Sequence, residues 1–326
     1  MGEPARHDPV MLDEVLALLM PRRGAIVVDA TFGGGGYSRA LLQSAPCQVI
    51  ALDRDPDARA RAHEIIGENP ERFTLLQGCF GDAVDLLDAC GVRRIDGIAF
   101  DLGVSSFQLG DAGRGFSFQL EGPLDMRMDP TSGRSAAELV NALGEKDLAG
   151  ILFEYGEERA SRRIAAAIVR ARDMAPILTT ARLAEIVRSV LPRGAQGIDP
   201  ATRTFQALRV FVNDELGELE RGLRAAEQLL VPGGRLVVVA FHSLEDRRVK
   251  SFLKRRGGEA GAPSRHQPFV EGSTPNPSFS VLTRRAIRPS AAEVARNPRA
   301  RSARLRAGER TSAAPWPERE NNRRAA

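Results

Sequence analysis

The sequence is poor in the residues that staple or metallate small domains. Its 326 residues include three cysteines, Cys47, Cys79 and Cys90, and four histidines, His7, His63, His242 and His266. The cysteines form no CxxC pair and cannot all pair with one another. That excludes a disulfide framework and reads them as small core residues of a reducing compartment. The histidines are scattered without ligand spacing, so no zinc or other metal is expected. No apolar run approaches the ~18 residues of a membrane span. In the opening MGEPARHDPVMLDEVLALLMPRR, Asp13 and Glu14 interrupt the apolar stretch, which reads as an amphipathic helix and not as a secretory signal. Arg6 stands where a myristoylation signal needs Ser or Thr. The expectation is a cytoplasmic protein with no membrane partner, and 43% apolar content supports a real core.

Charge of one sign is also scarce overall, at +4 net, but it is unevenly placed. From Arg284 to Ala326 there are 12 Arg and 4 Glu, a balance of +8, which leaves −4 on the preceding 283 residues. A basic tail on a mildly acidic body suits a polyanionic partner such as nucleic acid, and it equally suits a solvated tail.

Four apolar runs fill the first third: AIVVDATFG (25–33), CQVIALDRD (47–55), FTLLQGCF (73–80) and IDGIAFDLG (95–103). Helix-like segments near 37–45, 56–67 and 82–90 separate them, the alternation of βαβ units in a parallel sheet. A fifth run, GRLVVVAFHS (234–243), lies far downstream, and a sixth, SFSVLTRRAI (278–287), reads as a closing edge pair or hairpin. Between the fourth and fifth the period changes to that of helices. Ser135 and Glu138 stand in capping-box register. Ile164, Ala167, Ile168 and Ala171 share one helical face, as do Leu183, Ile186, Val187 and Val190. Residues ~110–210 therefore read as a helical insertion in an α/β domain, followed by a helix around 212–230.

The chemistry gathers at the strand ends. The first run closes on VVDATFGGGGYS, a glycine turn that opens onto a helix and lets backbone N–H groups approach a ligand. A nicotinamide fingerprint would put a third glycine where Ser38 stands. Asp29, Gly33 and Gly35 instead resemble the Asp-x-x-x-Gly-x-Gly motif of S-adenosylmethionine-dependent methyltransferases. A ligand-free tight turn is the plainer alternative. Asp53 ends the second run, where an acid accepts hydrogen bonds from ribose hydroxyls, while Asp55 before Pro56 reads as a helix start. Phe80 ends the third run, as a flank for adenine or as core. Asp101 ends the fourth, at the ligand edge of such sheets.

Longer blocks are more specific. HDPVMLDEVL, DATFGGGGYS, ALDRD, FDLGVSSFQL, RGFSF, PLDMRMD and YGEERASRRIA occur in order. ATRTFQALRVFVNDEL, PGGRLVVVAFHSLEDRRVK and LTRRAIRPSAAEVARNPRARSARLR follow. From about His7 to Arg306 the chain resembles the MraW (RsmH) family of bacterial 16S ribosomal RNA (cytosine-N4)-methyltransferases. The resemblance implies an α/β class I, Rossmann-like methyltransferase fold with an inserted, mostly helical domain. Its parts would be a discontinuous methyltransferase domain over 1–109 and 211–290, a helical RNA-recognition insertion over 110–210, and a basic tail over 291–326. It implies S-adenosylmethionine as cofactor and 16S ribosomal RNA of the small ribosomal subunit as partner. Cofactor contacts carried over are Gly33, Gly35, Gly36, Tyr37, Asp53, Phe80, Asp101 and Gln108. Tyr37 departs from the His common at that position, which leaves a backbone contact and removes any imidazole role. No residue pattern fixes the oligomeric state, and a homodimer stays open.

Two residues are candidates for catalysis. Asp101 is either a cofactor contact or the acceptor of a hydrogen bond from the N4 amine, whose lone pair is delocalised into the ring. His242 is either structural or a contact to the target base, and Glu245 and Asp246 begin the next helix. Ser105 and Ser106 read as caps of the turn. Arg159, Arg162, Arg163, Arg203 and Arg209 are candidates for phosphate contact or for a solvated helix face. The five arginines of 296–306 are the stronger phosphate candidate. A nicotinamide-dependent oxidoreductase and a non-catalytic RNA-binding assembly factor are the rival readings.

Overall fold

The structure, a computed structural model, describes residues 9–191, 199–258 and 275–317. His7, His266 and the arginines beyond residue 317 fall outside these. The apolar runs form strands whose middles are buried on both faces, as in sheets covered by helices. These are β1 (Ile26–Asp29), β2 (Gln48–Asp53), β3 (Phe73–Gln77), β4 (Ile95–Asp101) and β5 (Leu230–Ala240). The edge is completed by β6 (Phe279–Val281) and β7 (Arg304–Arg310). The strands lie in the order β3-β2-β1-β4-β5-β7-β6, with β1 to β5 parallel and β7 antiparallel to both its neighbours. An all-parallel dinucleotide-binding sheet has no such reversed strand.

Helices α1 (Leu12–Leu19), α2 (Gly36–Ser44), α3 (Ala58–Glu68) and α4 (Ala83–Ala89) belong to the first half of the sheet. A one-turn helix α5 (Ser106–Gly110) follows β4. Then come α6 (Ala136–Ala142), α7 (Glu145–Gly156), α8 (Ser161–Met174), α9 (Thr180–Val190) and α10 (Ala201–Val212). The chain returns to the sheet through α11 (Glu215–Leu229), and α12 (Ser243–Arg256) and α13 (Ala291–Arg296) complete it. Two apolar clusters sandwich the sheet, one built on Val27, Val49 and Val237, the other on Val28, Ile98 and Val238. Helices α6 to α10 close on a third cluster of their own, to which Ile164, Ile168, Leu183 and Val187 contribute. The capping box forms as the spacing predicts, with Ser135 N–H donating to Glu138 at 2.7 Å and Glu138 N–H to Ser135 Oγ at 3.2 Å.

Two expectations need correction. The run over 278–287 does not fold on itself, because β6 pairs with β7. And residues 304–310, read as part of a basic tail, are the sheet strand between β5 and β6. Arg306 is buried there because Asp246, near the start of α12, meets it: Nε to Oδ1 is 2.6 Å, and Arg304 Nη1 reaches Oδ2 at 2.9 Å. Burial pushes the Asp246 carboxyl up, and Arg306 with Arg304 outweighs it to hold the carboxyl below its ordinary range. At the other end Arg310 donates to the carbonyls of Glu227 and Ser278 at 2.8 Å. Three of the tail arginines are thus sheet components.

Removing one partner of a buried pair leaves an uncompensated charge. Asp246→Asn should lower the unfolding free energy in urea by roughly 3 kcal/mol or more. An unchanged midpoint would show that β7 docks without the pair.

Candidate active site

The glycine turn follows from the way β1 ends. Asp29 is buried, and its oxygens accept from Ser38 Oγ at 2.7 Å and Thr31 N–H at 3.3 Å. Those bonds hold the chain as it reverses, and Gly33 and Gly35 take φ of +54° and +78°, values at which a side chain is strained. A Cβ on Gly35 would lie 2.6 Å from Ile65 and 2.8 Å from the Phe32 ring. Gly35 therefore packs against the core, while Gly33, Gly36 and Tyr37 line the cleft. The Tyr37 hydroxyl donates to the Val10 carbonyl at 2.5 Å, so its ring anchors the N-terminal segment and its backbone stays at the turn.

The strand ends meet in one cavity of about 720 Å³. Gly33, Gly36, Tyr37, Asp53, Phe80, Asp101 and Gln108 all line it. Asp53 accepts from the N–H of Gly33 at 2.8 Å and of Asp55 at 2.9 Å. Phe80 meets Phe100 edge to face at 5.3 Å and is both core and wall. Gln108 completes a capping box with Ser105 at α5, its Oε1 accepting the Ser105 N–H at 3.0 Å. Asp101 takes the Thr31 hydroxyl on its backbone N–H at 2.7 Å, while its side-chain Oδ1 is buried without a hydrogen-bond partner.

His242 is not among the cavity-lining residues, although its neighbours Phe241 and Glu245 are. It caps α12, with its N–H and that of Phe241 both donating to Glu245, at 3.2 and 2.8 Å. Ligand atoms of Glu215, His242 and Glu245 lie within 4.8 Å of one another. Glu215 is paired on one side with Arg209, whose guanidinium grips it at 2.7 and 2.8 Å. Arg209, read from the sequence as a phosphate contact or part of a solvated helix face, instead lines the cavity beside Glu215. Sequence reading missed Arg54, Met128, Glu215 and Phe241, which line the same cavity. Their spacing carries no local signal, since each comes from a different element. Cys79 is in the wall as well, but burial pushes its thiol up to about 11, which disqualifies it as a nucleophile.

The cavity floor is short of positive charge. Burial raises Asp29 to about 6 against the Ser38 and Thr31 hydrogen bonds. Burial raises Asp53 too. Asp101 is pushed well above the carboxylate range by burial first, then by the charges of Asp29 and Glu245. A pocket of desolvated carboxylates favours a ligand that brings cationic groups.

The MraW methylase family profile matches residues 4–311. A ribosomal RNA small subunit methyltransferase H from Paramagnetospirillum magneticum is 58% identical over 313 residues, 96% of this chain and 98% of its own. One from Rhodospirillum rubrum is 59% identical over 313 residues, 95% of this chain and 96% of its own. The chain belongs to the MraW methylase family. It is an S-adenosylmethionine-dependent methyltransferase on a class I, Rossmann-like fold, and the site fits that cofactor. S-adenosylmethionine carries a sulfonium and an ammonium, the charges that Asp29 and Asp101 lack, whereas the anionic pyrophosphate of a nicotinamide dinucleotide would face repulsion from those carboxylates. Asp101 Oδ1 is an acceptor still waiting for a donor.

The sign of the Asp29 shift is testable in the methylase itself. A carboxyl raised from 3.8 to about 6 on folding adds stability at low pH that is lost as pH climbs through that interval. The stability difference between wild type and Asp29→Asn should therefore change across that interval and level off above it. A difference independent of pH would mean that Asp29 is solvated.

Proposed function

We propose that this methylase transfers a methyl group to N4 of a cytidine in 16S ribosomal RNA near the decoding centre, acting in the cytoplasm on the small ribosomal subunit. The observation that carries the site reading is the buried, unpartnered Oδ1 of Asp101 in the wall of a cavity of about 720 Å³. The relatives at 58% and 59% identity are named for the small-subunit ribosomal RNA, which supports the substrate class. The choice of N4 follows the family resemblance that runs from about His7 to Arg306.

Bound, S-adenosylmethionine supplies a methyl group made electrophilic by its sulfonium. The chain's own residues do the rest. Gly33, Gly36 and Tyr37 offer backbone to the methionine portion, Asp53 accepts from the ribose hydroxyls, and Phe80 flanks the adenine. Gln108 stands on the loop opposite. Asp101 in its anionic form attracts the ammonium of the cofactor. Its buried, unpartnered Oδ1 favours a second role. As N4 attacks, positive charge grows on nitrogen, and a carboxylate accepting an N4–H bond stabilises that charge. Phe241, half-buried in the same wall, adds an apolar ring beside which a pyrimidine could stack.

A base must leave its stack to reach this depth. The arginines that meet its phosphates come from the end of α13 and the segment that follows. Arg296 and Arg299 are exposed at the cavity, and Arg299 reaches across to the Ser106 hydroxyl. Arg159, Arg162 and Arg203 are exposed on the helical insertion, 110–210, which we assign as the RNA-facing lid. Arg163 is exposed there too, with its guanidinium on the Val190 carbonyl at 2.8 Å.

Labelled methyl transfer to small subunits lacking the modification, followed by mass spectrometry of the nucleosides, should yield N4-methylcytidine. Label in another nucleoside would overturn the substrate while leaving the fold. Asp101→Asn should bind S-adenosylhomocysteine about tenfold more weakly and lose about two orders of magnitude in turnover at saturating cofactor. Full turnover under saturation would leave Asp101 a cofactor contact only.

A further inference from the structure

A fourth buried carboxylate joins three walls of the cleft without lining it. Asp55 lies two residues beyond the end of β2, and its side chain is wholly shielded from solvent. Oδ1 accepts from the Asp57 N–H at 3.1 Å. Oδ2 accepts from Gln108 Nε2 at 3.1 Å and from Arg61 Nη2 at 3.2 Å. Arg114 Nη1 reaches both oxygens, at 3.3 and 3.2 Å. Burial works to raise this carboxyl, but Arg114, the Asp57 N–H and Arg61 together hold it below its ordinary range. Unlike Asp101, Asp55 is saturated with partners.

Each partner continues to a different wall. Arg61 Nε donates to the Gly33 carbonyl at 2.8 Å, inside the glycine turn. Gln108 is fixed to Ser105 and so sets the loop after β4. Arg114 Nη2 donates to the carbonyls of Arg127 and Met128 at 3.2 and 2.7 Å, and Met128 lines the cavity. The 126–128 segment is pinned on its other side by Asn213, whose Oδ1 accepts from Met128 N–H and whose Nδ2 donates to the Met126 carbonyl, both at 2.8 Å.

We propose that Asp55 is a positioning residue that couples cofactor binding to the Arg114–Met128 wall, and through it to the mouth of the helical insertion. The proposal rests on the cofactor reading of the cleft. A cofactor seated between the glycine turn and Gln108 fixes two of the groups that hold Asp55. A buried carboxylate cannot give up one partner cheaply, so its remaining partner, Arg114, is held as well. By linkage, a substrate that presses on the Met128 wall must then tighten cofactor binding by the same factor.

Amide hydrogen exchange over residues 124–130, with and without S-adenosylhomocysteine, tests this on the full chain and needs no RNA. In the wild type the ligand should slow exchange there by at least about fivefold, the lower end of ordinary coupling. Arg114→Gln should still bind the ligand calorimetrically within about threefold of wild type, yet lose the slowing. Asp55→Asn should lose both tight binding and slowing. Should Arg114→Gln melt far below the wild type, Arg114→Lys replaces it: the ammonium keeps the charge facing Asp55 but cannot span both carbonyls, and the slowing should again vanish. Slowing that persists in a folded Arg114 variant, or is absent from a wild type that binds the ligand, overturns the coupling. A wild type that gives no binding heat overturns the cofactor reading instead, and the coupling with it.

Discussion

Three carboxylates end three adjacent strands of a parallel sheet, and the rest of the site is arranged around that fact. Parallel pairing brings the C-terminal ends of β2, β1 and β4 to one edge, so Asp53, Asp29 and Asp101 open onto the same space. Low dielectric makes each anion costly, and their proximity adds to the cost for Asp101 and Asp29. The fold meets part of this with the Thr31 and Gly33 N–H groups and the Ser38 hydroxyl. It leaves the remainder at Asp101, whose Oδ1 is buried without a hydrogen-bond partner. The same economy explains why Asp55, Glu215 and Asp246 behave differently: each has a guanidinium within 3.3 Å.

Charge is thereby sorted by depth. The floor of the cleft is acidic and suits a sulfonium and an ammonium; its rim is basic and suits phosphate. The net count of the C-terminal segment hides this division, because Arg304, Arg306 and Arg310 are consumed by Asp246 and by carbonyls of the sheet edge. Arg296, Arg299 and Arg301 remain exposed. Among the described residues, Arg296 and Arg299 thus place exposed positive charge beside the cavity.

What could be read from the sequence was what is encoded over short distances. The four early runs became strands, the helical faces of α8 and α9 are buried through Ile164, Ile168, Leu183 and Val187, and the Ser135–Glu138 box formed. The acids at the strand ends were legible because a strand that stops on Asp announces its own edge. What escaped depends on distant partners. β7 looked like a charge run because Arg306 is buried against an aspartate 60 residues earlier and Arg310 against distant carbonyls. Asp55 looked like a helix start, yet α3 begins at Ala58 and the carboxylate turns inward to Arg114, 59 residues on. The repeated glycines hid a division of labour: Gly33 and Gly36 face the cleft, while Gly35 is needed for its packing against Ile65 and Phe32.

The segment around α13 ties these levels together. Glu293 accepts the Met11 N–H at 2.7 Å, and Tyr37 holds the neighbouring Val10 carbonyl, so the N-terminal strap links the glycine turn to α13. Pro9, on that strap, sits where a Cβ on Gly36 would fall, at 2.9 Å, so the turn is packed from outside as tightly as from within. Three residues past Glu293, the same segment delivers Arg296 and then Arg299 to the cavity mouth. The polypeptide fastened to the N-terminal strap therefore also carries exposed arginines at the cavity. On the proposed RNA reading, a phosphate drawing on Arg299 would pull on the element that Glu293 ties to Met11, beside the turn that Tyr37 ties to Val10. The grip on one ligand would then be built from the backbone that presents the other.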